Sequence, residues 1–241
     1  MTKVSTLPKR KMMANFLRMI LGVALLPACW SFARALADCV VTAAGAPGAA
    51  CPESIALVGG MAAFVLCWYA LPRLTRTYVL GHELTHAIWG LLFGASPSRL
   101  RVGASGGSVR LTKTNMLITL APYFFPFYTF VVIVAALVVR VFARPLPFLP
   151  LWTFMVGFTW AFHVLFTLET LSERQPDVTA YGRLFSWTFI LLMNLLLVMA
   201  WLAAVTPLGF GGMWDAVSSR TASAYSTLWS LSCRSLRWIL R

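Results

Sequence analysis

The chain has 241 residues, of which 59% are hydrophobic and only 11% are charged, and its mean hydropathy is +0.78. Soluble domains carry about 25% charged residues, so this composition excludes an ordinary soluble protein and indicates a multi-pass membrane protein. The net charge of +13 comes from basic residues that flank the apolar segments, among them Lys9, Arg73 and Arg140. Such flanking charges are typical of positive-inside anchoring and of contact with anionic lipid, and they argue against a nucleic-acid-binding protein.

Six apolar segments are long enough to cross a bilayer, which takes about 20 helical residues. We therefore predict an all-α polytopic membrane protein with about six transmembrane helices, built as one membrane domain over residues 16–206. A basic cytoplasmic tail, residues 1–15, precedes this domain, and a basic amphipathic tail on the membrane surface, residues 207–241, follows it. The predicted spans are residues 16–37, 54–72, 78–95, 115–142, 147–170 and 184–206.

The first apolar segment has a second interpretation. A basic start, an apolar stretch and the sequence ALAD at 35–38 also resemble a cleavable signal peptide. Arg34 lies between the apolar stretch and that site and favours a retained anchor. Cys39 and Cys51 bracket the next loop, which faces outward if the amino terminus is inside. A disulfide between them and two free thiols are both open at this point.

A polar insert, SPSRLRVGASGGSVRLTK at 96–113, follows the third apolar segment. Its glycines at 103, 106 and 107 and the alternating sequence SVRL predict a short β-like hairpin rather than a helix. An exposed strand edge in such a hairpin could pair with an extended peptide. The alternative is a solvated loop with turn glycines.

The third apolar segment contains His82-Glu83-Leu84-Thr85-His86, the pattern H-E-x-x-H. On a helix the two histidines lie one turn apart on the same face, so both imidazoles can bind one zinc ion, and Glu83 lies beside them as a candidate general base. Chance would produce this pattern in about 6 of 10,000 chains of this composition. Ionisable groups inside a span are costly unless they pair, bind metal or face a wet cavity, and this favours a metal site over histidines that only hydrogen-bond to neighbouring helices.

A catalytic zinc ion needs a third protein ligand and an open fourth position. Asp177 stands in the stretch SERQPDVTAYGRLFS, where a proline and a glycine interrupt the apolar pattern, whereas His163 and Glu169 lie in the preceding span. The residues alone leave this choice open. The candidates are Asp38, Glu53, His163, Glu169, Glu173, Asp177 and Asp215.

An H-E-x-x-H in an apolar segment with a later Pro-Asp carboxylate resembles the site-2 protease class of intramembrane zinc metallopeptidases. The similarity covers residues 78 to about 190 and includes the glycine-rich insert and the sequence LAPYF at 120–124, which is similar to the Ala-Gly-Pro that opens the next span in that class. The resemblance implies Asp177 as the third zinc ligand. His163, which lies in the preceding span and could also point into the cavity, is the second choice. Val178 stands where the class has glycine, and no PDZ domain fits in the chain, so the chain resembles a minimal, divergent member.

This resemblance implies an intramembrane zinc metalloprotease, in a bacterial inner membrane, that hydrolyses a peptide bond in or near a transmembrane segment of a membrane-protein substrate. Zinc would activate a water molecule, and Glu83 would accept the proton of that water. Gly106 and Gly107 are expected to help hold the substrate extended. Two other functions stay open: a zinc-binding membrane protein without proteolysis, such as a carrier or scaffold, and a membrane anchor without metal.

Simple alternation of six spans raises a difficulty for this site. If the amino terminus is inside, His82 lies near the inner end of its span, whereas Asp177 lies beyond the outer end of another. Either the segment that carries Asp177 folds back into the membrane, which is tolerated where irregular backbone lines a watery cavity, or a span is miscounted.

Overall fold

The computed structural model describes residues 7–45, 48, 50–103, 106–205 and 209–239. Residues 1–6 of the predicted cytoplasmic tail, and residues 207–208 and 240–241 of the predicted carboxyl-terminal tail, lie outside the described residues. The strands are β1 (Pro97–Gly103) and β2 (Gly106–Leu111), and a 3-10 helix covers Ala121–Tyr123. The α-helices are α1 (Leu7–Gly45), α2 (Pro52–Ala70), α3 (Thr75–Leu92), α4 (Met116–Leu120), α5 (Phe127–Phe142), α6 (Leu149–Ser172), α7 (Pro176–Ala180), α8 (Arg183–Val205) and α9 (Gly209–Ile239).

The described residues include four helices long and apolar enough to cross a membrane, namely α1 from Met12, α2, α6 and α8. The chain is therefore a predominantly helical membrane protein with one small antiparallel sheet. The number of such helices differs from the predicted six. The segment predicted as one span at 115–142 is broken: Met116–Tyr123 and α5 meet at 82°, and together they make at most a fifth span. Helix α3 falls outside this set because its polar side chains, including those of Arg76, His82 and Glu83, lower its mean hydropathy.

One compact unit of the chain consists of α1, α8 and α9. Its core contains Ala35 of α1, Met199 and Ala203 of α8, and Met213 and Val217 of α9. Helix α9 runs antiparallel to α1, because the thiol of Cys39 donates to the sulfur of Met213 while the hydroxyl of Tyr225 reaches the carbonyl of Ala24. An ion pair between Arg220 and Asp38 joins the same two helices. Cys39 and Cys51 are both free thiols.

The second unit, residues 47–177, is organised around the packing of α2 against α6. Near the amino ends of the two helices, Gly157 lies against the carbonyl of Leu57, and near their carboxyl ends the rings of Trp68 and Phe166 are 4.8 Å apart. Residue numbers therefore rise together along both helices, which means that α2 and α6 run parallel. Simple alternation of the six predicted spans would have made them antiparallel.

The close approach of α2 and α6 depends on glycine at two positions. A Cβ atom at Gly60 would overlap the carbonyl oxygen of Phe154, and one at Gly157 would overlap the carbonyl oxygen of Leu57. Small residues at such contacts allow the backbones of membrane helices to pack directly. The neighbouring Gly59 is different, since its nearest atom would be a ring carbon of Phe154 at 4.0 Å, an ordinary contact.

Replacing Gly60 by Ala is expected to lower the free energy of unfolding by about 1–3 kcal/mol, because the added methyl group forces two backbones apart. Thermal unfolding of the purified protein in detergent measures this effect. The matched control is Gly59→Ala, which adds the same methyl group one residue away and should be neutral or slightly stabilising through helix propensity. Equal loss of stability in both variants would contradict the packing argument.

The hairpin of β1 and β2 packs on α3. The strands are antiparallel, with Val102 paired to Gly107 and Gly103 to Gly106. On the face toward α3, the side chain of Leu111 lies against Gly90, and Gly107 lies against Val79 and Glu83. Gly106 has a φ of +138°, a conformation that side-chain-bearing residues rarely adopt. The H-E-x-x-H helix is thus covered on one side by β2.

Candidate metal centre

Three side chains converge in the second unit. His82 and His86 lie one turn apart on α3, and Asp177 is the second residue of α7. Oδ2 of Asp177 lies 3.6 Å from Nε2 of His82 and 3.4 Å from Nε2 of His86. One ligand atom of each residue lies within 4.8 Å of the other two, so this group could hold a metal ion.

The parallel arrangement of α2 and α6 explains how Asp177 reaches α3. A short turn joins the carboxyl end of α2 to α3, and a similarly short connection joins the carboxyl end of α6 to α7. Because the two helices run parallel, these two connections lie at the same end of the unit. The guanidinium of Arg73, in the first connection, accordingly lies 3.9 Å from the carboxylate of Glu169 near the end of α6. Of the two explanations for the topological difficulty, the miscounted span is the one that this arrangement supports.

The orientation of the His86 ring is set by a contact on its far side. Nδ1 of His86 lies 2.9 Å from the carbonyl oxygen of Ile118. A carbonyl can only accept, so Nδ1 carries the proton and donates, which leaves the lone pair of Nε2 directed toward Asp177. Nδ1 of His82 is buried and has no hydrogen-bond partner among the described residues. This side chain also lines a pocket with Thr85, Phe162 and His163.

The carboxylate of Asp177 is the most open of the three groups. Its side chain is 31% exposed, whereas the imidazoles of His82 and His86 are each 12% exposed. Burial by itself would raise the pKa of Asp177, but the interactions of its carboxylate with the two nearby imidazoles outweigh that effect and hold the pKa well below its ordinary value. The group is therefore ionised near neutral pH, as a metal ligand must be.

Glu83 follows His82 on α3 and is only 7% exposed. Its side chain packs against β2, where a Cβ at Gly107 would come within 2.8 Å of Glu83 Cγ. The carboxylate interacts electrostatically with His86 and Asp177. The sequence-predicted base thus lies beside the three candidate ligands, in a space that the missing side chain of Gly107 leaves open.

The remaining candidate ligands are placed elsewhere. His163, the second choice for third ligand, is buried on α6 and is not a member of the three-residue group. Glu169 pairs with Arg73 and Asp38 with Arg220. Glu53 lies in the first turn of α2, Glu173 follows α6, and Asp215 lies on α9.

Sequence reasoning did not identify Tyr123. Its hydroxyl donates a hydrogen bond to Oδ2 of Asp177 at 3.4 Å, and its ring packs edge-on against the ring of His82 at a centroid distance of 5.3 Å. The sequence LAPYF marked this segment as the opening of a span, but nothing in it indicates contact with a carboxylate 54 residues later.

Comparisons with known proteins returned no matching family, no matching curated protein and no matching solved structure.

Proposed function

We propose that the chain is an intramembrane zinc metalloprotease that hydrolyses a peptide bond in or near a transmembrane segment of a membrane-protein substrate. The observation that carries this proposal is the convergence of His82, His86 and Asp177 beside the buried carboxylate of Glu83. Four helices of the described residues are long and apolar enough to cross a membrane, which favours a substrate that is itself a membrane protein. A bacterial inner membrane with anionic lipid is the proposed location.

Zinc is the metal that suits this donor set. Ligand atoms about 2.0–2.2 Å from a tetrahedral zinc ion lie about 3.3–3.6 Å from one another. The two distances from Asp177 Oδ2, 3.6 Å to His82 Nε2 and 3.4 Å to His86 Nε2, fall in that range. Two imidazoles and one carboxylate are also a common protein contribution to catalytic zinc sites, in which the fourth position is open. His82, His86 and Asp177 would therefore hold the ion.

Bound zinc would supply a Lewis acid that lowers the pKa of water to about 7 and polarises a carbonyl group. Glu83 would accept the proton that the attacking water loses and would donate it to the nitrogen of the leaving amine. The packing of Glu83 against Gly107 restricts its side chain to the neighbourhood of the three ligands. The hydrogen bond of His86 to Ile118 keeps its ring in the orientation that the reaction needs.

The hairpin is the proposed site at which the substrate is held extended. A helical segment presents no free backbone for hydrolysis, so it must unwind locally before cleavage. Gly107 of β2 lies against the candidate base, so a peptide laid along this strand would pass close to Glu83. We propose Gly106 and Gly107 as substrate-contacting residues on this ground.

Removal of zinc is expected to abolish cleavage. The purified protein in detergent is incubated with a panel of single-span peptides that carry helix-destabilising residues, and the products are identified by mass spectrometry. A strong chelator should stop cleavage, and added zinc should restore it, whereas added magnesium should not, because magnesium prefers octahedral oxygen ligands. Cleavage that persists in the chelated protein would overturn the proposal.

A further inference from the structure

A single short segment contacts all three candidate ligands. The brace segment, defined as Met116–Tyr123, comprises α4 and the 3-10 helix. Its Ile118 carbonyl lies 2.9 Å from Nδ1 of His86. Its Tyr123 packs its ring against His82 and donates its hydroxyl to Asp177.

The brace segment is held firmly in place. The side chain of Asn115 caps its first turn by accepting a hydrogen bond from the backbone N–H of Ile118 at 2.9 Å. Leu120, Ala121 and Tyr123 are 0% exposed, and Ile118 is 1% exposed. Buried side chains in close-packed surroundings have little freedom to move, so contacts from this segment fix the groups they touch.

Asp177, in contrast, is held less firmly by its local surroundings. It belongs to a five-residue helix, and its side chain is 31% exposed. A carboxylate in such a place can rotate about its terminal bond, because that torsion has a broad energy profile. The hydroxyl of Tyr123 contacts the same oxygen, Oδ2, that lies nearest to Nε2 of both histidines.

We propose that Tyr123 is a positioning residue of the metal centre, which selects the orientation of the Asp177 carboxylate in which Oδ2 faces the two imidazoles. This inference rests on the metal-binding part of the proposed function. With the hydroxyl in place, the carboxylate samples fewer orientations before the metal ion binds. Metal binding therefore has fewer unsuitable orientations to exclude. The contribution of the hydroxyl is thus to the affinity for the metal ion.

The test is the zinc affinity of the metal-free full-length protein in detergent, measured by titration against a competing fluorescent chelator. Tyr123→Phe is expected to weaken zinc binding about 10-fold, the lower range for losing a hydrogen-bonding partner of a metal ligand. The phenylalanine ring preserves the buried volume and the edge-on contact with His82. Thermal unfolding of the metal-free protein should accordingly show that the variant is folded.

Two further variants separate positioning from general packing. Tyr78→Phe is the matched control, because the ring of Tyr78 also contacts His82, at 5.7 Å, but its hydroxyl has no hydrogen bond to Asp177 within the described residues. It should bind zinc as the wild type does. In an Asp177→Ala background, Tyr123→Phe should cause no additional loss of affinity, since the partner of the hydroxyl is already gone.

Unchanged zinc affinity in Tyr123→Phe, or an equal loss in the Asp177→Ala background, would overturn the positioning role and leave the proposed protease intact. Wild-type protein that binds zinc but cleaves no peptide would overturn the protease, while the zinc titration would still decide the role of Tyr123. Wild-type protein that binds no zinc would overturn both.

Discussion

Replacing Glu83 by Gln is expected to reduce the rate of peptide cleavage by about 10²–10⁴-fold while the protein keeps its zinc. Glutamine has almost the same shape, so it can occupy the space beside Gly107 and Val79 without disturbing the packing of α3 on β2. The amide cannot accept a proton from water, so the proposed general base would be lost. Neither imidazole and no atom of Asp177 is altered. The measurements are the initial rate of cleavage and the zinc content per chain.

The matched control for this variant is Glu169→Gln. Glu169 is 42% exposed and pairs with Arg73 at the end of α6, and exposed ion pairs contribute little to stability. Cleavage by this variant should stay close to that of the wild type. Retained cleavage in Glu83→Gln would show that Glu83 is not the base. If the chain were instead a zinc-binding carrier or scaffold, Glu83→Gln would leave its function largely intact.

The local part of the site could be predicted from the sequence because it depends on short-range geometry. His82 and His86 are four residues apart, and any α-helix through them places both rings on one face. Polar groups in a strongly apolar chain then indicate a site rather than a solvated surface. Both inferences need only the neighbouring residues, and the structure has α3 running through the whole motif.

The approach of Asp177 to α3 could not be derived in the same way. It follows from the parallel packing of α2 and α6, and counting spans makes these helices antiparallel. The close contact between the two helices in turn depends on Gly60 and Gly157, which let the backbones touch. Glycine is common in apolar helices, so its presence alone does not tell which helix it faces.

Hydropathy could not identify the brace segment as a separate element either. Its residues are mostly apolar and lead directly into those of α5, so hydropathy predicts the two as one continuous span. The break comes after Tyr123, where Pro126 immediately precedes α5 and the chain turns by 82°. With this bend, the carbonyl of Ile118 faces His86 and the hydroxyl of Tyr123 faces Asp177, instead of both residues continuing a straight helix. The features that hydropathy misses are thus the ones that contact the candidate ligands.

Removal of any one proposed metal ligand is expected to have the second large effect, a loss of bound zinc. His82→Ala, His86→Ala and Asp177→Ala should each lose most of the bound zinc, from about one ion per chain in the wild type, because each would remove one of the three proposed protein ligands. His163→Ala should retain zinc, since His163 lies outside the group that these ligands form. Elemental analysis of the purified variants measures the metal, and thermal unfolding of each metal-free variant shows whether it is folded.

Comparison of Asp177→Ala with His163→Ala decides between the first and second candidates for the third zinc ligand. Asp215→Ala is the matched control for removal of a carboxylate, because Asp215 lies on α9 in the other compact unit. Zinc retained in Asp177→Ala but lost in His163→Ala would require a different geometry, in which α6 supplies the ligand and Asp177 only pairs with the histidines. Loss of zinc in Asp177→Ala but not in His163→Ala would instead identify Asp177 as the third ligand. Metal binding would then depend on the parallel packing of α2 and α6, because that packing brings Asp177 to α3.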